Sequence, residues 1–295
     1  MHYLAVDIGG TSIKSGIVSA DGVVLFEQST PTLADEGLQA VMERLRGIVR
    51  GLRQRMPTAE ALGIGVPGVV DPVSRVVQAP PNLPGWDRVD ILSELRAVVP
   101  FPLAVENDAN AAALGEAQFG AGRTHENFLY ATLGTGIGGG VILGSKLYTG
   151  PHGDAGEIGH IIMNAWATEG ATDTRAFRTG VLEDYAGIKG ILRMAREEGE
   201  DVANVNRIQN NAVLREVGRI IGLGLCSACA VLGLRTVIVG GGIAQAPFVL
   251  DAIRTTMLRR AIPTIAGDLA VLPAQFGAQA GLIGAAAVAR TAVRG

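Results

Sequence analysis

Cysteine, aromatic residues and charge are all scarce in this chain. Two cysteines in 295 residues leave no disulfide framework, so folding rests on the burial of apolar surface. Cys226 and Cys229 have C-x-x-C spacing, which invites a redox or metal reading. Both lie inside an apolar stretch with no second pair and no neighbouring histidine, so two small buried thiols are expected. Charged residues make up 18% and the net charge is −3, which gives no electrostatic footprint for nucleic acid or an anionic membrane. The longest apolar stretch, Ile220 to Leu234, is shorter than the roughly 18 residues a membrane span needs. It also follows Arg215, Glu216 and Arg219, so a buried core helix is expected. The opening MHYLAVDIGG lacks a basic region, an apolar core and a cleavage site. No signal peptide is therefore expected, and the cytoplasm is the expected compartment.

Apolar residues and glycine are abundant: 48% of the chain is hydrophobic and 41 residues are glycine. That composition excludes a disordered chain, and the length accommodates two domains with their own cores. The chain opens with strand LAVDI, a Gly-Gly-Thr turn, strand IKSGIVS, an Asp21-Gly22 turn and strand VVLFEQS. Asp-Gly between apolar stretches signals a hairpin. Leu38, Val41, Met42, Leu45, Ile48, Val49 and Leu52 form one stripe, which predicts a helix from about Asp35 to Arg55. Strand ALGIGVPG, a proline-rich connection (APPNLPGW) and another helix follow, and then a strand ends in Glu106-Asn107-Asp108. The later segment FLYATLGTGIGGGVILGSKLYTG repeats the opening order of strand, turn, strand, turn, strand with little residue identity. Two such units imply a duplicated α/β architecture with a cleft between the halves. Strand TVIVGGG follows the buried helix, and the closing GAQAGLIGAAAVAR reads as a helix that is apolar on most sides.

Three glycine-rich turns carry candidate chemistry: Asp7-Ile8-Gly9-Gly10-Thr11, the run Gly134-Thr135-Gly136 to Gly140, and Gly240-Gly241-Gly242. Glycine lets backbone N–H groups approach a phosphate with no Cβ in the way. Thr11 and Thr135 offer hydroxyl donors, and Lys14 offers a cation near a terminal phosphate. Taken singly, each turn reads first as a tight hairpin; the second matches a dinucleotide fingerprint poorly because it opens a hairpin and not a helix, and no P-loop is present. The acidic candidates are Asp7, Asp108, Glu157 and Glu183, with His160 three residues beyond Glu157. Glu157 and His160 read by themselves as a capping Glu and a surface His; the alternative is a pair of metal ligands or hydrogen-bond partners. For the polar triplet, either Asn107 or Asp108 as N-cap of the alanine-rich helix would contribute about 1 kcal/mol. Capping and catalysis stand level on the residues alone. A carboxylate at a strand's carboxyl end, where α/β proteins bind ligands, tilts the balance toward chemistry.

In order along the chain, VDIGGTSIKSGIV, GVPGVVD, NLPGW, VENDANAAALGE, LGTGIGGGVI, AGEIGH, LE and VIVGGGI resemble the ROK family of sugar kinases and sugar-responsive repressors, within the actin-like ATPase superfamily. The resemblance spans nearly the whole chain. It implies the actin-like, ribonuclease H-like α/β fold, with two lobes and ATP and a sugar meeting in the cleft. The implied small lobe is residues 1–110, with a C-terminal helix at about 280–293 packing back on it, and the large lobe is 111–279. Asp108 matches the family's catalytic base. Asn107, Glu157, His160 and Glu183 match sugar-hydroxyl contacts, with Gly68 and Asn82 as weaker sugar-side candidates. Asp7, Gly9, Gly10, Thr11 and Lys14 match one phosphate loop, Gly134, Thr135 and Gly136 the second, and Gly240, Gly241 and Gly242 the adenosine region. ATP and Mg²⁺, the latter near Asp7, are the implied cofactors, and a homodimer the implied assembly.

One departure stands out. Many members carry C-x-C-G-x-x-G-C-x-E after the G-E-I-G-H motif, with that histidine as fourth zinc ligand. Here Thr174, Ala176 and Val181 replace the cysteines, so structural zinc is not expected. The 164–179 loop must be held otherwise. The leading expectation is an ATP-dependent kinase for the 6-hydroxyl of a hexose, with glucose first. Fructose, mannose, amino sugars, cyclitols and β-glucosides remain open because the zinc site is missing. A sugar-binding regulator is the alternative, although the first strand starts at Tyr3 or Leu4 and leaves no room for a helix-turn-helix. An actin-like assembly or chaperone ATPase would explain the phosphate turns but not the Asn107, Glu157, His160 and Glu183 set.

Overall fold

The Asp-Gly signal produces the expected hairpin in the computed structural model, which describes residues 1–78, 80, 82–167 and 179–294. Strand β1 (His2–Ile8) pairs antiparallel with β2 (Ser12–Ser19), and β2 with β3 (Val24–Pro31). Gly22 takes the turn at φ +80°, where glycine has no Cβ penalty. Residues along β1 are buried in succession while those of β3 alternate between half-buried and exposed, the difference between a covered central strand and an edge. Helix α1 (Leu38–Arg55) buries Val41, Met42, Leu45, Ile48, Val49 and Leu52. It begins later than the expected Asp35 because Ala34–Glu36 forms a 3₁₀ turn, which Gly37 ends at φ +88°.

Strand β4 (Ala61–Val66) follows, then three two-residue strands, β5 (Val69–Val70), β6 (Val77–Gln78) and β7 (Arg88–Val89), that form a small sheet of their own. Asp90 caps α2 (Ile91–Arg96) by accepting from Ser93 N–H at 3.0 Å. Strand β8 (Leu103–Asn107) runs directly into α3 (Asp108–Phe119). The first large sheet has the order β3-β2-β1-β4-β8, with β1, β4 and β8 mutually parallel.

The second half contains β9 (Phe128–Leu133), β10 (Ile137–Leu143), β11 (Lys146–Tyr148), α4 (Leu182–Ala186), α5 (Ile188–Glu197) and α6 (Asn211–Leu232). After these come β12 (Thr236–Gly240), α7 (Val249–Arg260), α8 (Pro263–Ala266), β13 (Ala270–Pro273) and α9 (Ala280–Arg294). The second sheet has the order β11-β10-β9-β12-β13. By place in the chain, both sheets run third, second, first, fourth, fifth, so the repeated order of elements read from the sequence is a structural duplication.

The chain packs as two units. One comprises Met1–Glu126, Gly140–Ala155 and Ala278–Gly295, the other Asn127–Gly139 and Gly156–Gly277. In the first, Leu45 and Val49 of α1 share a core with Val6 of β1 and Ile64 of β4 on one face of the sheet. On the other face, Leu282, Ala285, Ala286 and Ala289 of α9 pack against Tyr3, Ala5 and Ala61. In the second, the apolar run lies in α6, where Val217, Ile221 and Leu225 are buried. Asn210 caps this helix by accepting from Ala212 N–H, and Gly233 ends it at φ +66°. Among the described residues no helix is long and apolar enough to cross a membrane. Cys226 is half-buried and Cys229 buried, both unbridged. Burial first, and then the neighbouring Cys226, push the Cys229 thiol up to about 12, so it stays protonated and inert at neutral pH.

Candidate active site

Parallel pairing in the first unit aligns the carboxyl ends of three strands. Asp7 of β1 is in register with Gly65 of β4, and Gly65 with Glu106 of β8; Val66 is in register with Asn107. Asp7 and Asp108 flank Gly65: a Cβ built there would lie 3.5 Å from Asp7 Oδ1 and 3.9 Å from Asp108 Cα. Surrounding protein, and then the charge of Asp108, raise Asp7 from 3.8 to about 6, opposed by Lys14. Lys14 is the cross-strand partner of Asp7 and donates to the Ala278 carbonyl at 2.9 Å. Two acids held in electrostatic contact, with one lysine as counter-charge, mark a site more than a structural ion pair.

The polar triplet divides its work. Asn107 is the N-cap: its side-chain oxygen accepts from Ala109 N–H at 2.9 Å and Asn110 N–H at 3.1 Å. Its amide donates to the Gly68 carbonyl at 3.0 Å, which ties the two predicted sugar-side residues together. Asp108 opens the helix with its surface exposed to solvent. The protein packed around its carboxyl raises the pKa above the usual carboxylate range, against hydrogen bonds from the backbone N–H of Ala109 and from Asn107. Glu106 is buried, accepts from Asn107 N–H at 2.9 Å and from Asn110 Nδ2 at 3.1 Å, and is also shifted upward by burial.

The first glycine turn is held from several sides. Gly9 N–H donates to the Ser12 carbonyl at 2.9 Å, and Thr32 Oγ1 to the Gly9 carbonyl at 2.6 Å; the Thr11 carbonyl accepts from Thr32 N–H at 2.9 Å. Asn82, at φ +64°, packs on this turn, since a Cβ on Gly10 would lie 2.7 Å from Asn82 Cβ. Asp7, Gly9, Gly10, Thr11, Lys14, Gly68, Asn82, Asn107 and Asp108 therefore all belong to the first unit.

The remaining predicted residues assemble in the second unit. Register places Gly240 of β12 opposite Thr132 of β9, so the turns Gly134-Thr135-Gly136 and Gly240-Gly241-Gly242 leave neighbouring parallel strands side by side. Gly241 sits at φ +87° with its Cα against the backbone of Leu133, a place no side chain fits. Thr135 and Gly242 are exposed, which leaves both turns accessible to a ligand. Glu157 precedes a 3₁₀ turn, Ile158–His160. His160 Nε2 stands 3.9 Å from Glu157 Oε2, both side chains about half exposed. The 156–160 segment packs on β10: a Cβ on Gly159 would collide with the Ile137 carbonyl, and one on Gly139 would lie 3.0 Å from Ile158. Glu183, at the start of α4, accepts from Ile137 N–H at 2.7 Å.

Of the three positions that would hold zinc-binding cysteines, Thr174 and Ala176 lie outside the described residues. Val181 is buried and forms a β-bridge with Ile162, and Leu182 N–H donates to the Ile161 carbonyl at 2.9 Å. At that position an apolar bridge joins the histidine segment to Glu183. Gly65 and Gly281 carry no local signal in the sequence, and Glu106 enters it only as a member of the polar triplet. Gly281, at the start of α9, has no room for a Cβ because the Asp7 carboxylate occupies it.

Two sheets of one strand order, each ending its parallel strands in acidic or glycine turns, define an α/β protein of the actin-like ATPase fold. The chain belongs to the ROK family, whose model matches residues 3–292. A glucokinase of Streptomyces coelicolor is 34% identical, with 97% of each chain covered. A ROK glucokinase of Streptomyces griseus, solved with glucose and AMPPNP, superposes with a TM-score of 0.81 at 33% identity, covering 99% of this chain and 100% of that one. A xylose repressor of Bacillus spizizenii is 28% identical over 97% of this chain and 76% of its own length.

Proposed function

We propose that the chain is an ATP-dependent hexose kinase that transfers the γ-phosphoryl group to a 6-hydroxyl, with glucose the first acceptor to test. The observation that carries this reading is Asp108: a solvent-reachable carboxylate of raised pKa at the carboxyl end of β8, in electrostatic contact with a second acid, Asp7, which has Lys14 as its own counter-charge. Phosphoryl transfer asks the protein to align nucleophile and phosphate and to stabilise charge. Asp108 orients the sugar hydroxyl and accepts its proton. Asn107, Glu157, His160 and Glu183 supply the donors and acceptors a polyol requires, and the three glycine turns offer backbone N–H groups to the nucleotide. The similarity to glucokinases, one of them solved with glucose and an ATP analogue, supports both substrates.

Asp7 suits Mg²⁺, a hard cation that keeps most of its waters and takes one or two carboxylates beside substrate phosphates. When bound with ATP, the ion supplies charge neutralisation on the phosphate oxygens. The proposed setting is a cytoplasmic homodimer.

The test is ADP release with ATP and Mg²⁺ across hexoses, amino sugars, cyclitols and β-glucosides. Selective turnover of one sugar is expected, and Asp108→Asn should lower it about 10²- to 10⁴-fold. A flat panel with sugar binding intact would favour the second reading, a sugar-responsive regulator, which the likeness to the xylose repressor motivates.

A further inference from the structure

The Glu183 carboxylate makes contacts that binding a sugar does not require. Its Oε2 accepts from Ile137 N–H at 2.7 Å, the first amide after the Gly134-Thr135-Gly136 turn. Within that turn, Gly134 N–H donates to the Gly136 carbonyl at 2.9 Å. Gly136 lies directly against the same carboxylate oxygen, so a Cβ there would collide with it; one on Gly159 would lie 3.4 Å away. The backbone around Glu183 also holds the turn. Gly187 N–H donates to the Glu183 carbonyl at 2.8 Å, and Ile188 N–H to the Thr135 carbonyl at 3.4 Å. The Ile162–Val181 bridge and the Leu182–Ile161 hydrogen bond fasten the start of α4 to the segment carrying Glu157 and His160.

We infer that Glu183 is a positioning residue for the phosphate-binding turn, so that one carboxylate couples the nucleotide to the acceptor sugar. This rests on the proposed reading that the turn binds phosphate and that Glu183 also meets a sugar hydroxyl. A charge-assisted hydrogen bond is short and directional, and this one fixes the orientation of the peptide that closes the turn. A sugar hydroxyl donating to the other oxygen restricts the same side chain. The sugar therefore orders a group that the turn depends on, and the coupling is reciprocal by linkage.

The contact also explains a glycine. Gly136 has no positive φ to satisfy, so its lack of a side chain answers to the carboxylate beside it.

The decisive measurement is calorimetric binding of a non-hydrolysable ATP analogue with Mg²⁺ in the absence of sugar, then with saturating sugar. Glu183→Ala removes a hydrogen bond to a charged acceptor and is expected to weaken sugar-free nucleotide binding about tenfold or more. The ratio of affinities with and without sugar should fall toward one. Glu183→Gln keeps an oxygen acceptor and should retain most of the nucleotide affinity while the KM for sugar rises. Gly136→Ala should reproduce the weakening from the opposite side, and the double variant Gly136→Ala/Glu183→Ala should be no worse than the worse single variant. If Glu183→Ala does not give a folded protein, Gly136→Ala and Glu183→Gln carry the test. Unchanged sugar-free nucleotide affinity in these variants, with only the sugar KM altered, would overturn the inference. A wild-type protein that binds no nucleotide would instead overturn the kinase reading beneath it.

Discussion

Asn107 uses its carbonyl oxygen on the N–H groups of Ala109 and Asn110 and an amide hydrogen on the Gly68 carbonyl. The amide also hydrogen-bonds the Asp108 carboxyl, so the side chain that caps the helix also orients the proposed base. Capping and the contacts of the amide can therefore be separated by substitution. Serine caps as well as asparagine, so Asn107→Ser should leave the urea midpoint near that of the wild type, while Asn107→Ala should cost about 1 kcal/mol. Both should raise the KM for sugar. Equal stability in the two variants would show that the cap contributes nothing. The sequence made Asn107 and Asp108 legible because a polar triplet interrupts an apolar strand at its carboxyl end. It did not divide their roles, since both residue types cap helices. Gly281 was illegible for a different reason: the group that forbids its side chain, the Asp7 carboxylate, belongs to a strand at the other end of the chain.

At the scale of elements, hairpins and amphipathic stripes were readable and close approaches were not. The Asp21-Gly22 turn and the α1 stripe each carry a local signal that the fold obeys. Strands β5, β6 and β7 have two residues each, too short to express a period of two, so no sequence pattern reveals them. The contact between α9 and the first sheet is another hidden feature. A Cβ on Gly63 of β4 would collide with the Ala285 carbonyl of α9, and one on Gly16 of β2 would lie 2.9 Å from Leu282 Cδ2. The helix backbone thus rests directly on the sheet, with alanines filling the remainder. Overpacking such a contact forces backbone shifts that typically cost about 1–3 kcal/mol. Gly63→Ala should lower stability by that amount in urea titrations, and Gly63→Val by more. A midpoint unaffected by Gly63→Ala would mean that α9 can lift off β4 at no cost.

Across the whole molecule, the repeated order of strand, turn, strand, turn, strand was legible, because each half carries its own glycine turn and hairpin signal. The order of strands within each sheet was not, since β4 and β8 reach β1 only through parallel pairings across intervening helices. The return of the chain's last segment has a larger physical consequence. Residues 278–295 belong to the same unit as the N-terminal strands, and Leu282, Ala285, Ala286 and Ala289 cover Tyr3, Ala5 and Ala61. Without α9 those strands would expose a continuous apolar face that nothing local can cover, and an uncovered sheet of this composition associates with other chains. A chain ending at Gly277 should therefore lose amide-exchange protection throughout β1, β4 and α3, the elements α9 touches most, and should aggregate on expression. Protection in β12 and α6, which belong to the other unit, should survive in whatever fraction remains in solution. Full protection of β1 and β4 in the truncated chain would show that α1 alone suffices to hold the sheet, and that α9 serves Asp7 through Gly281 and not the fold.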